Sequence, residues 1–125
     1  MGSTNGNLVI DGCKINSSAY TISVDGGDVN ITVKNTVING WTSYSSTATV
    51  SFENCTLGSN GSYAFFRPYS ATTLTNCNFE TGYKIDASQA AITLVGCTLN
   101  GEALTTENAG ALFDGGTIPA NVTIQ

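Results

Sequence analysis

Val50-Ser-Phe-Glu-Asn-Cys-Thr-Leu57 recurs along the chain with conservative changes. Its counterparts are Leu8-Val-Ile-Asp-Gly-Cys-Lys-Ile15, Ile31-Thr-Val-Lys-Asn-Thr-Val-Ile38, Thr72-Thr-Leu-Thr-Asn-Cys-Asn-Phe79, Ile92-Thr-Leu-Val-Gly-Cys-Thr-Leu99 and Ala111-Leu-Phe-Asp-Gly-Gly-Thr-Ile118. With the cysteine as position zero, the zeros are Cys13, Thr36, Cys55, Cys77, Cys97 and Gly116, spaced by 23, 19, 22, 20 and 19 residues. A short, almost constant period interrupted by loop-sized insertions marks a solenoid, in which each repeat buries its apolar side against the next.

Positions −5, −3, 0 and +2 are the inward sites. Of these 24 positions, 17 are aliphatic or aromatic and 4 are Cys, which leaves Thr72, Thr36 and Gly116 as the exceptions. The −5/−3 and 0/+2 pairs have the two-residue period of a strand, but the step from −3 to 0 is three, so the chain turns a corner between them. Position −1 reads Gly12, Asn35, Asn54, Asn76, Gly96 and Gly115, the residue types that reach positive φ at least cost. A third strand per coil is read at Thr21–Val24, Tyr63–Phe65, Lys84–Asp86 and Ala103–Thr105. Apolar residues do not recur at helical spacing. The expected fold is all-β: a parallel β-helix of about six short rungs with three strands per rung. At ~4.8 Å per rung it stands roughly 29 Å tall.

With Asn or Gly at every bend, the chain resembles the right-handed parallel β-helix of the pectate-lyase-like proteins over residues 8–124. The resemblance implies an asparagine ladder through Asn35, Asn54 and Asn76. The right hand also follows from the crossover rule for parallel strands. The fold carries lyases, hydrolases, esterases, tailspikes and adhesins, so activity has to be argued from residues.

Gly, Asn, Ser and Thr number 14, 13, 12 and 18, or 57 of the 125 residues, and only 10% of residues are charged, with a net charge of −5. Four scattered basic residues give no electrostatic footprint for nucleic acid or for an anionic membrane. No apolar run approaches the ~18 residues of a membrane span. Residues 1–7, beginning Met1-Gly2-Ser3-Thr4, read as an expression scar and tail, and 8–125 as one domain. Low Lys with abundant Asn, Ser and Thr fits an extracellular or cell-surface protein, and a bacterial or phage origin is expected. No capping helix is apparent at either end of the repeat, so continuation into further rungs of a parent protein, or end-to-end self-association, is expected.

Cys55, Cys77 and Cys97 fall on consecutive rungs with parallel side chains, and Cys13 lies two rungs from Cys55, so at most one disulfide fits. All four are expected to be reduced and buried as a ladder. A column of thiols cannot surround one ion, so no metal is expected.

The chain has no His, which removes the usual general base and nucleophile arrangements. The resemblance implies an Arg or Lys base with Asp clusters on the outer face. Asp25, Asp28, Arg67, Lys84, Asp86, Glu102 and Glu107 are the candidates there. Only Arg67, Lys84 and Asp86 come near one another, and they form the catalytic set if the protein is a polysaccharide lyase or glycoside hydrolase. Phe52, Phe65, Phe79 and Phe113 occupy inward sites, which leaves Tyr20 and the others for loops and outer faces. Trp41, Tyr44, Tyr63, Phe66, Tyr69 and Tyr83, with Arg67, are the candidate platform for a sugar ring. Thr32, Ser51, Thr73 and Thr93 form an outward hydroxyl column, but the accompanying column of Asp11, Lys34, Glu53, Thr75, Val95 and Asp114 is charged and irregular, against ice binding. The residues therefore favour a non-catalytic binding or structural module with no cofactor and a polysaccharide or glycan partner, with the enzyme as the alternative.

Overall fold

The computed structural model describes residues 5–25, 28–45, 49–60 and 65–125. In chain order its strands are β1 (Asn5–Asp11), β2 (Lys14–Asp25), β3 (Asp28–Lys34), β4 (Val37–Ser45), β5 (Val50–Glu53), β6 (Thr56–Gly58), β7 (Phe65–Pro68), β8 (Thr72–Thr75), β9 (Asn78–Phe79), β10 (Lys84–Ile85), β11 (Ile92–Val95), β12 (Thr98–Leu99), β13 (Glu102–Ala103) and β14 (Val122–Ile124). They wind into a β-solenoid of about four turns with parallel strands.

One wall is the six-stranded parallel sheet β1-β3-β5-β8-β11-β14. Its register is the one the repeat requires: Leu8, Ile31, Val50, Thr72 and Ile92 pair in succession, and so do Ile10, Val33, Phe52, Leu74 and Leu94. Beyond the corner, Ile15, Ile38, Leu57, Phe79 and Leu99 form the next column. Parallel stacking places equal positions of the repeat one above another, so like side chains pack in columns. From Ile31 to Leu94 these columns are almost fully buried.

The corners form as the sequence requires, with φ of 69° at Gly12, 50° at Asn35, 53° at Asn54 and Asn76, and 61° at Gly96. The zero-position side chain then closes the corner by bonding the carbonyl two residues back. Cys55 Sγ donates to Glu53 O at 3.3 Å, Cys77 to Thr75 O at 3.5 Å and Cys97 to Val95 O at 3.7 Å. Thr36, the exception in the column, makes the same bond from Oγ1 to Lys34 O at 2.7 Å, which explains how a hydroxyl sits there at 1% exposure.

The second wall differs from a uniform three-strand rung. In the first two rungs the second and third strands fuse into the long β2 and β4, which pair with each other across two register shifts around Tyr20. The first half of β4 then pairs with β6 and its second half with β7. The bend between the halves is at Gly40, φ 133°, where a Cβ would stand 2.6 Å from Ser17 O. Later rungs carry separate short strands, and the third strand read at Ala103–Thr105 is instead β13, antiparallel to β12.

The segment read as a sixth rung, Ala111–Ile118, is not one. It lies in two 3-10 turns, Ala109–Leu112 and Asp114–Gly116, and the sixth strand of the sheet is β14. Gly115 and Gly116 both have positive φ, so the chain curls where a strand would continue. Ala109, Leu112 and Phe113 are buried by this curl, which caps the last rung.

Candidate functional site

All four cysteines are free thiols, and Cys55, Cys77 and Cys97 are buried. Cys13 departs from expectation: it is exposed, since among the described residues no rung lies over the first corner. Within the column, hydrogen bonding with both neighbouring thiols, reinforced by burial, pushes the Cys77 thiol well up. The same contact with Cys77 shifts the Cys55 and Cys97 thiols the other way, downward. Among the described residues no group of His, Cys, Asp and Glu is arranged to hold a metal ion.

Of the candidate platform, Phe66 and Tyr83 are core residues at 0% and 1% exposure, which corrects their assignment to the surface. The reason is register. Phe66 pairs Thr42, itself fully buried, so this strand turns Phe66 inward and Arg67 outward. Tyr83 packs beside Phe79 with centroids 5.9 Å apart. Tyr44 pairs with Pro68 through the backbone, and its side chain lies outside the described residues, as does all of Tyr63. The side chains of Phe65, Asp25 and Asp28 are likewise outside them.

The remaining members do converge. Tyr20 and Trp41 stack at 4.6 Å and 19°. The Arg67 guanidinium lies 4.9 Å from the Trp41 ring centre and 5.4 Å from that of Tyr69. β2 and β7 flank β4 on opposite sides, so Trp41 is enclosed between Tyr20 and Arg67 and offers only its edge. Tyr20 and Tyr69 are the exposed rings, at 44% and 42%. Tyr20, expected among the loops and outer faces but not in the platform, joins this group, and its separation from Trp41 of one repeat period is the sequence signal for it.

The chain continues this wall with β10, paired Ile85 to Phe66, and the Asp86 N–H donates to Phe66 O at 2.8 Å. Asp86 therefore follows Arg67 on the next rung. Its Oδ1 accepts the Ser88 N–H at 2.9 Å. Hydrogen bonds from Ser88, aided by the Arg67 charge, hold the carboxyl below the usual range against its partial burial. Lys84 is not part of this group: its Nζ donates to Ala111 O at 2.8 Å and ties β10 to the cap. Glu102 and Glu107 are exposed on the last rung and loop.

Asp86 also lines an open cleft of about 710 Å³ with Ser88, Phe113, Asp114, Pro119 and Asn121. Asn121 Nδ2 donates to Ala87 O and Ala90 O at 2.7 and 2.8 Å and so fixes the far lip. Of the convergent group only Asp86 lines this cleft; Arg67, braced by Trp41 and Tyr69, stands on the neighbouring rung of the same wall. Comparison with protein-family models, curated proteins and solved structures gives no match for the chain.

Proposed function

We propose that this β-solenoid is a non-catalytic, extracellular or cell-surface module that binds carbohydrate on the wall formed by Tyr69, Arg67 and Asp86. The observation that carries the reading is the placement of Arg67 between Trp41 and Tyr69 with Asp86 on the next rung. A pyranose packs its apolar C–H face on an exposed ring such as Tyr69, while a guanidinium and a carboxylate side by side bond vicinal hydroxyls from both donor and acceptor sides. The Asp86 carboxylate on the rung next to Arg67 offsets the guanidinium charge and favours neutral sugars over acidic ones. Trp41 and Tyr20 act as the buttress that holds the guanidinium in place and limits the entropy lost on binding.

The test is a glycan array with the intact chain, followed by calorimetric titration of the best oligosaccharide. Tyr69→Ala and Asp86→Ala are each expected to weaken binding tenfold or more with folding intact. Absence of binding to any neutral glycan, or binding unchanged in both variants, overturns the reading.

A further inference from the structure

The two ends of the solenoid are unlike. The C-terminal end is covered by the 3-10 turns and antiparallel β13, and its last wall strand, β14, is three residues long. The first rung has no such cover among the described residues. Among the described residues β1 pairs only with β3, and Leu8, Ile10 and Ile15 are only partly buried. Val9 beside them is 64% exposed, more than any other large hydrophobic residue of the described chain.

The two edge strands of this rung also differ. β2 is broken by register shifts around Tyr20, a device that blunts an edge. β1 is regular across all seven residues, from Asn5 opposite Asp28 to Asp11 opposite Lys34. Gly12 N–H bonds Lys34 O on β3. By the strand's alternation, the N–H and C=O groups of Asn7, Val9 and Asp11 point the other way, along the open edge.

We propose that β1 pairs antiparallel with β1 of a second copy, joining two solenoids head to head about a twofold axis through Val9. In this register Val9 meets Val9 of the other copy as a hydrogen-bonded pair. Leu8 stands opposite Ile10, which continues the core columns across the junction. Asn7 stands opposite Asp11, so a carboxamide and not a second carboxylate faces each acidic side chain. A head-to-tail stack finds no matching seven-residue edge at the capped end, so the assembly closes at two copies. One rung spans 23 residues, from Asn5 to its partner Asp28. At ~3.3 Å per residue its perimeter is about 75 Å, and two such faces bury on the order of 1,000 Å² in all, the lower bound for a specific interface. The dimer is therefore weak, in the micromolar range.

Sedimentation of the intact chain from 1 to 500 μM tests this. A monomer–dimer equilibrium is expected, shifted at least tenfold toward monomer by Val9→Pro, which removes an N–H that β3 does not use. Val9→Lys, expected to shift it likewise, serves if the proline variant misfolds. In a Cys13→Ser background, Val9→Cys is expected to form a covalent dimer under air oxidation, because Cα atoms of a hydrogen-bonded pair stand ~5.5 Å apart, within disulfide reach. A monomer at every concentration, open-ended polymers, a dimer indifferent to both Val9 substitutions, or a dimer that does not cross-link through Val9→Cys overturns the proposal.

Discussion

Asn54 donates its side-chain N–H to Oδ1 of Asn35 on the preceding rung at 3.4 Å, and both residues hold left-handed backbone, φ 53° and 50°. Asn35 passes the ladder on to Asp11 Oδ1 at 3.0 Å. One side chain thus serves the corner of its own rung and the contact between rungs. At the next two corners, Asn76 reaches over Gly96, where there is no Cβ to meet it.

Separating the two roles of Asn54 is straightforward. Asn54→Gly keeps the φ and loses the rung contact, at about 0.5–1 kcal/mol. Asn54→Ala loses both, because a left-handed Ala costs a further ~1 kcal/mol. Urea unfolding is expected to rank wild type above Asn54→Gly above Asn54→Ala; a variant with Ala as stable as one with Gly would contradict the assignment.

Gly40 is the sharpest single point in the second wall. Its φ of 133° is a region L side chains rarely adopt, and a Cβ there would meet Ser17 O at 2.6 Å and Thr21 Cγ2 at 2.8 Å. Gly40→Ala is expected to cost more than about 2 kcal/mol, since both backbone strain and overpacking act. Thermal unfolding followed by far-UV circular dichroism reads the loss directly.

Tyr83 presents the opposite case. Its hydroxyl is buried and makes no hydrogen bond among the described residues, and burial pushes its pKa up from 10.0. The folded state holds the proton more tightly than the unfolded one. Stability is therefore unaffected by this group below pH 10 and falls as pH rises beyond it, at up to about 1.36 kcal/mol per pH unit. Tyr83→Phe is expected to remove that alkaline loss and to be neutral or stabilising at pH 7, as measured by urea midpoints at pH 7 and 11.

The cysteine column predicts its own reactivity. A thiol reagent such as dithionitrobenzoate is expected to modify Cys13 rapidly in the folded protein, and Cys55, Cys77 and Cys97 only on unfolding. Within the same column, Thr36→Cys is expected to stay within about 1 kcal/mol of wild type, because a thiol repeats the bond to Lys34 O. Thr36→Val removes that donor, leaving Lys34 O with the Gly12 N–H alone, and takes the acceptor from the Cys13 N–H, so it costs about 1 kcal/mol more than Thr36→Cys.

The regular part of the solenoid was legible in one dimension because parallel stacking turns sequence period directly into spatial column. Ile31, Val50, Thr72 and Ile92 pair as the repeat aligns them, and every Asn and Gly of position −1 from Gly12 to Gly96 takes positive φ. What failed had no periodic partner to fix it. Ala111–Ile118 carries the apolar pattern of a rung, but its glycines and the end of the stack let it fold over the core as a cap. Phe66 and Arg67 are adjacent in sequence, and only pairing with β4 decides which of them faces water. The sequence alone therefore determined the repeating cross-section of this protein, through side-chain size and backbone permissiveness at fixed spacing. The tertiary structure alone decided the ends and the outer wall, because the facing of a loop-flanked residue is set by the strand it pairs with.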